Sequence, residues 1–356
     1  MTENEVKAIL SGVKYPNFER DIVSYDFVKN IEIKGDQIAI DLEIAASSQE
    51  IADELRANIA KAFSDKGHKN VVLNLKQPQA PKETSSRGKN LAPSIKRFVM
   101  ISSGKGGVGK STTAVNLAIA TAMQGKRVGV LDADIYGPNV PRMMGLENEK
   151  LKSIGDRVTP LEAYGVKVMS MGVILEPAQA LIWRGPMIIK TIEQFFGDVA
   201  WGELDVLFMD MPPGTGDAQL SLAQSVPVSA GAIVTTPQTV ALDDAKRGLD
   251  MFVKMRIPIA GIVENMSGFI CPCCNKEYDI FGKGSAEALA REYKTQTLGE
   301  IPIEEGIREG GDNGKPIVFH QPNSETAKRY LLAADRLWSF IENNQGDNAD
   351  IQPTNH

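Results

Sequence analysis

The chain has 356 residues, of which 42% are hydrophobic and 24% charged, and a formal net charge of -6. These values describe an ordinary soluble globular protein of about two domains. The acidic balance argues against binding along a nucleic-acid backbone, and no apolar run approaches the ~20 residues that cross a membrane. The opening MTENEVKAIL is acidic and lacks the basic-then-apolar pattern of a secretory signal. The expected setting is therefore cytoplasmic, with neither nucleic acid nor membrane as partner.

Residues 1–76 read as a small α+β domain. IEIKGDQIAIDLEI alternates apolar and polar on both sides of Gly35-Asp36, which is a hairpin signal. SQEIADELRANIAKAF follows, with Ile51, Leu55, Ile59 and Ala62 on one helical face and Ser48 as a candidate N-cap. VVLNL then reads as another strand. Residues 77–95, QPQAPKETSSRGKNLAPSI, lose all apolar periodicity and read as a flexible linker.

From residue 96 to 342 the pattern becomes α/β. FVMIS, RVGVLD, VLFMD, GAIVTT and IAGIVEN are short unalternating apolar runs between longer helical segments. Such runs suit strands covered on both faces, so the expected fold is a doubly wound, mostly parallel sheet with its ligands beyond the carboxyl ends of the strands. ENN in AKRYLLAADRLWSFIENN closes the last helical pattern, whose apolar face is expected to pack on the core. Residues 343–356 are polar and read as a disordered tail.

The strongest motif follows the first of these strands. Gly104-Lys105-Gly106-Gly107-Val108-Gly109-Lys110-Ser111, continued by Thr112, fits the phosphate-loop pattern, with a strand before and a helix after. Glycines let backbone N–H groups turn toward phosphate oxygens, and a helix N-terminus adds partial positive charge. Lys110 is placed to reach the outer phosphates of ATP, and the Ser111 hydroxyl to bind Mg2+. Among carboxylates, Asp210 ends a strand and is the expected magnesium partner, while Asp134 is the candidate for orienting the attacking water. Asp132 sits beside it with a turn or cap as an equally plain role. Pro213, Gly214 and Gly216 form a loop able to sense the γ-phosphate. Asn265, at the end of IVEN, carries an amide able to read the adenine edge.

All three cysteines lie in ICPCC, as Cys271, Cys273 and Cys274. Cys271 and Cys274 have the two-residue spacing that lets both thiolates face one metal, with Pro272 stiffening the turn and Cys273 expected to point elsewhere. Iron–sulfur clusters and structural zinc usually take four ligands. His68, His320 and His356 lack ligand spacing to this pair. A second copy across a two-fold axis completes the set most simply. Iron–sulfur binding, a zinc bridge, a thiol redox pair and unligated cysteines remain open on the residues alone.

SGKGGVGKSTTAVNLA, VLDADIYGPNVPRMMG, IWRGPM, MPPGTGDAQLSLAQSVP, TTPQTVALDDAKRGLDMF, VENMSGFICPCC and IPIEEGIREGGDNGKPIV, in this order over residues 95–340, resemble the Mrp/ApbC family of iron–sulfur cluster carrier ATPases. The resemblance implies a P-loop fold, slow ATP hydrolysis, and a homodimer that holds a labile 4Fe–4S cluster between the C-x-x-C pairs. It further implies transfer of that cluster to apo iron–sulfur proteins, and contact with cluster-assembly scaffold proteins. Carried over, Lys105 and Lys110 are the two loop lysines, Lys105 reaching the partner subunit's nucleotide. Asp134 and Asp210 fall in the switch and magnesium-side segments, and Cys271 and Cys274 are the cluster ligands. Cys273 departs from the family pattern. The N-terminal unit resembles the small iron–sulfur-assembly domain, although Ser47 and Ser48 stand where that domain commonly carries a cysteine. Two rival functions use the same fold. One is a positioning ATPase of the chromosome- or division-site type, which gives no reason for CPCC. The other is a nucleotide-driven electron donor, whose ligand cysteines are spaced far apart.

Overall fold

The computed structural model describes residues 2–344 except 15–20, 25–26, 35–36, 44–48, 69, 77–89, 135–136, 156, 175–184 and 275. The expected turn at Gly35-Asp36, the serines Ser47 and Ser48, most of the linker, the start of IWRGPM and nearly all of the tail lie outside these residues. The chain divides into two units, Met1–Ser85 and Ser86–His356.

In the first unit β1 (Val28–Lys34), β2 (Gln37–Glu43) and β3 (Val71–Lys76) form one sheet in that order, β1 antiparallel and β3 parallel to β2. The helix Gln49–Ser64 makes the crossover that a parallel pair requires. The alternation of β2 places Ile38, Ile40 and Leu42 inside, against Leu55, Ile59 and Phe63 of that helix and Val6 and Leu10 of the helix Glu3–Leu10. Thr2 and Glu5 close a reciprocal capping box at the start of that first helix.

The second unit is built on β4 (Phe98–Ser102), β5 (Val128–Asp132), β8 (Leu161–Ala163), β9 (Val166–Ser170), β10 (Val206–Asp210), β11 (Ala230–Thr235), β12 (Ile259–Ile270), β13 (Glu277–Tyr278) and β14 (Thr297–Ile303), with β6 (Lys152–Ile154) and β7 (Arg157–Thr159) as a separate hairpin. The order is β13-β12-β11-β4-β10-β5-β9-β8, and β14 also pairs with β12. All pairs are parallel except those made by β8 and β13. This is the α/β, doubly wound sheet expected from the unalternating apolar runs. The cause is visible in β4: Phe98 and Met100 enter the core on one face, Val99 and Ile101 the core on the other. The helix Lys110–Met123 is buried from Thr113 to Thr121. The helix Glu325–Asn343 buries Tyr330, Ala333, Ala334, Leu337 and Ile341, so its apolar face packs inward.

Two local readings differ from the structure. The last residues of the expected linker are held: Leu91 N–H donates to Ser225 O at 3.4 Å, Ile95 bridges to Leu204, and Ala92 and Ile95 join the core. And β12 does not stop at Asn265. It turns through left-handed residues at Met266 (φ 56°) and Gly268 (φ 79°), shifts register between Asn265 and Phe269, and runs on to Ile270. The strand therefore leads straight into the cysteines.

Candidate functional site

The phosphate loop leaves the carboxyl end of β4, a strand flanked by β11 and β10, where the winding direction reverses and ligands of such sheets bind. Gly107 (φ 80°) and Gly109 (φ 83°) hold left-handed conformations that cost other residues roughly 1–2 kcal/mol. Gly104 is needed for space, because a Cβ there would lie 2.1 Å from the Asp244 backbone. Gly106 is exposed, Lys105 half-buried, and the Lys105 carbonyl accepts from the Ser103 hydroxyl at 3.0 Å. Gly109 caps the helix Lys110–Met123, which opens on Lys110, Ser111 and Thr112.

Lys110, Ser111 and Asp210 meet at the mouth of this helix. Lys110 Nζ lies 2.5 Å from Asp210 Oδ1 and donates to Ser111 Oγ at 3.2 Å. The pair is buried, with Lys110 6% and Asp210 0% exposed at the side chain. Asp210 Oδ2 is buried with no hydrogen-bond partner among the described residues. Parallel pairing of β10 with β5 sets Asp132 directly across from Asp210. Asp132 accepts from Ser170 Oγ at 2.9 Å and from the N–H groups of Asp134 and Val140. Burial first, and the Asp210 carboxylate second, push the Asp132 carboxyl up to about 8. One lysine thus stands against two buried acids. The hydroxyl of Ser111 and the unpartnered oxygen of Asp210 are the hard oxygen donors that Mg2+ takes, so the residues fit that ion.

Asp134 is half-buried after β5. The loop after β10 is tied to the residue that follows β4: Gly214 N–H donates to Ser103 O at 2.9 Å. Gln219, which the sequence did not single out, donates to Pro212 O at 2.6 Å and to Gly214 O, and accepts from Ser102 Oγ. Asn265 is buried and donates its amide to Val108 O at 2.8 Å. A Cβ at Gly109 would lie 2.1 Å from that same amide nitrogen. In this structure Asn265 clamps the underside of the phosphate loop.

Glu264, the neighbour of Asn265, was also missed. It is 0% exposed and accepts from Ser267 Oγ at 2.6 Å, Gly284 N at 2.7 Å and Ala286 N at 2.6 Å. Its only signal in the sequence was a carboxylate inside an apolar run.

The cysteines form the turn between β12 and β13. Cys271 is half-buried, and Cys273 and Cys274 are exposed. Cys271 N–H donates to Lys276 O at 3.0 Å, closing the turn. The backbone N–H groups of Cys273 and Cys274 hold the Cys271 thiol below its usual range, and the thiols of Cys274 and, less strongly, Cys273 add to this. Cys273, expected from its place between the two ligands to point elsewhere, is exposed like Cys274. No three His, Cys, Asp or Glu side chains converge to hold a metal ion among the described residues.

Comparison with known proteins places this geometry. Residues 94–338 match the family model described as NUBPL iron-transfer P-loop NTPase, and residues 3–72 match that of an iron–sulfur cluster assembly protein. An iron–sulfur cluster carrier protein of Helicobacter pylori is 55% identical over 99% of this chain and 98% of its own. One from Escherichia coli is 40% identical over 93% and 90%. Among solved structures, a nucleotide-binding protein of Archaeoglobus fulgidus in complex with ADP is 38% identical, with a TM-score of 0.59 over 67% of this chain and 93% of that one. The cell division ATPase MinD of Pyrococcus furiosus is 22% identical with a TM-score of 0.54 over 68% and 98%, a likeness of fold. Phosphate loop, winding order and full-length identity converge, and the chain belongs to the NUBPL-type iron-transfer P-loop NTPases, with an iron–sulfur cluster assembly domain preceding the nucleotide-binding one.

Proposed function

We propose that this P-loop NTPase is an ATP-dependent iron–sulfur cluster carrier. Two copies hold one labile 4Fe–4S cluster as cargo between their Cys271 and Cys274 thiolates and pass it to apo iron–sulfur proteins. The observation that carries the reading is the cysteine turn: an accessible pair whose Cys271 sulfur is held toward the thiolate by two backbone N–H groups. Thiolate is the form that ligates iron. The full-length identity to proteins named as carriers supports the same reading.

In this account Lys110 exchanges its contact with Asp210 for the outer phosphates of ATP. Ser111 and Asp210 hold Mg2+, which when bound neutralises phosphate charge. Asp134 orients the attacking water, and Lys105 reaches the partner subunit's nucleotide. Gly104, Gly106, Gly107, Val108, Gly109 and Thr112 complete the phosphate cradle. Asn265 supports that cradle with its N–H and offers its amide oxygen toward adenine. The Pro213–Gly216 loop, already tied to Ser103, reports the phosphate to the rest of the unit. A change of subunit contact at the cysteine turns then alters the exposure of the cluster. Apo-acceptor proteins and assembly scaffolds are the partners, with the preceding domain as a contact surface.

The test is cluster transfer under oxygen-free conditions. Wild type is expected to load a cluster and deliver it to an apo-acceptor faster with MgATP. Lys110→Ala is expected to load but not to deliver. Undiminished delivery by Lys110→Ala sinks the ATP dependence, and Cys271→Ala that still loads sinks the ligand assignment.

A further inference from the structure

The strand that ends in the cysteines also holds the nucleotide loop, and the two contacts come from adjacent residues. Asn265 donates to Val108 O at 2.8 Å and lies against Gly109. Glu264 spends its carboxylate on the base of the cysteine turn. One bond, from Ser267 Oγ, comes from the outgoing limb, and two, from Gly284 N and Ala286 N, come from the returning limb. Both limbs are further joined by the Phe269–Tyr278 and Ile270–Glu277 pairs, and the Glu277–Lys283 ion pair at 2.5 Å ties the returning limb to itself. The stretch from 264 to 286 is therefore a closed loop stapled at its base by one buried carboxylate, with Cys271 and Cys274 at its tip.

We propose that Glu264 is a positioning residue that couples the phosphate loop to the cysteine turn. The inference rests on the carrier reading above. A shift of the Val108–Gly109 backbone must move Asn265, because a buried amide left without its carbonyl costs about 1–3 kcal/mol. Moving Asn265 moves the Glu264 peptide beside it, and Glu264 carries both limbs with it. The left-handed turn at Met266 and Gly268 lets the strand tilt there without unpairing the sheet below. Cys271 lies six positions beyond Asn265, so their Cα atoms are at most about 20 Å apart. A loop this short, stapled across its base by the Glu264 carboxylate, carries a displacement from one end to the other. Coupling is reciprocal: if nucleotide state shifts the turn, a cluster on the turn shifts nucleotide affinity by the same factor.

Glu264→Gln is the direct test. It keeps the side-chain volume and replaces one acceptor oxygen with an N–H2 donor facing a backbone N–H or the Ser267 hydroxyl. Ser267→Ala is the milder variant, removing only the outgoing bond. The readout is the affinity of the full-length protein for the nonhydrolysable analogue AMP-PNP with Mg2+, measured with and without a loaded cluster. Wild type is expected to show a ratio of about 10 between the two states, within the usual range for coupled sites. Glu264→Gln is expected to bring that ratio below about 3, and Ser267→Ala to lower it part of the way, with cluster content and cluster-free affinity within about twofold of wild type. A stabilising role alone would not change the ratio. A wild-type ratio above 1 that survives both variants overturns this assignment and leaves the carrier reading standing. A wild-type ratio of 1 overturns the coupling itself. If Glu264→Gln does not fold, the Ser267→Ala ratio decides.

Discussion

Lys110 is expected to hold the nucleotide-binding unit together as well as to serve ATP. Its Nζ lies 2.5 Å from Asp210 Oδ1 in a site where Asp210 is fully buried and Asp132 faces it across the sheet. Lys110→Met leaves Asp210 buried without its cation. Breaking a buried pair from one side costs about 3–5 kcal/mol. At about 2 °C per kcal/mol for a unit of this size, the thermal midpoint should fall by about 6–10 °C. The double variant Lys110→Met/Asp210→Leu removes the unpaired charge and should regain most of that loss, because exchanging both partners of a buried pair for apolar groups of similar volume is often neutral or stabilising. ATPase activity should be absent from both variants. Calorimetry on the two single variants, the double variant and wild type closes the cycle. A Lys110→Met midpoint within about 1 °C of wild type, or a double variant no more stable than Lys110→Met, refutes the reasoning.

Three further outcomes are expected. Gly109→Ala forces a left-handed alanine and drives a Cβ to 2.1 Å from Asn265 Nδ2. The combined strain and lost Asn265–Val108 bond amount to about 2–3 kcal/mol, so nucleotide affinity by titration calorimetry should fall at least about 10-fold. Among the cysteines, Cys271→Ala and Cys274→Ala should each lose the cluster by visible absorption and iron content, whereas Cys273→Ala should keep it. Asp205 accepts from Arg127 and Lys96, chiefly from Arg127, which holds its carboxyl well below the usual range. A depressed carboxylate stabilises the fold above its unfolded value near 3.9 and loses that contribution as pH falls through the folded value. Asp205→Asn should therefore lower stability by about 1–2 kcal/mol at neutral pH, after allowance for the exposed Arg127, and by progressively less below about pH 4 in urea titrations.

The parallel sheet was legible because β4, β5 and β10 are buried on both faces, and two-sided burial writes itself as unbroken apolar runs. The phosphate loop was legible because its glycines answer to backbone geometry at fixed spacing. Residues 91–95 were not, since Pro and Ser break the pattern of that stretch while Leu91, Ala92 and Ile95 anchor it. The continuation of β12 was hidden because its left-handed turn begins at Met266, and methionine gives no sign of a positive φ. Glu264 and Gln219 were hidden for a related reason. Each is a single buried polar residue most of whose partners are backbone groups, and backbone partners leave no pattern in side chains.

The central claim is that two copies share one cluster through Cys271 and Cys274. Iron, sulfide and zinc per chain, determined alongside solution mass on anaerobically reconstituted protein, test it most directly. The account predicts a dimer with equal iron and sulfide, about one 4Fe–4S cluster for two chains, and no zinc. A monomer carrying a full cluster, or a dimer holding zinc in place of iron and sulfide, contradicts it.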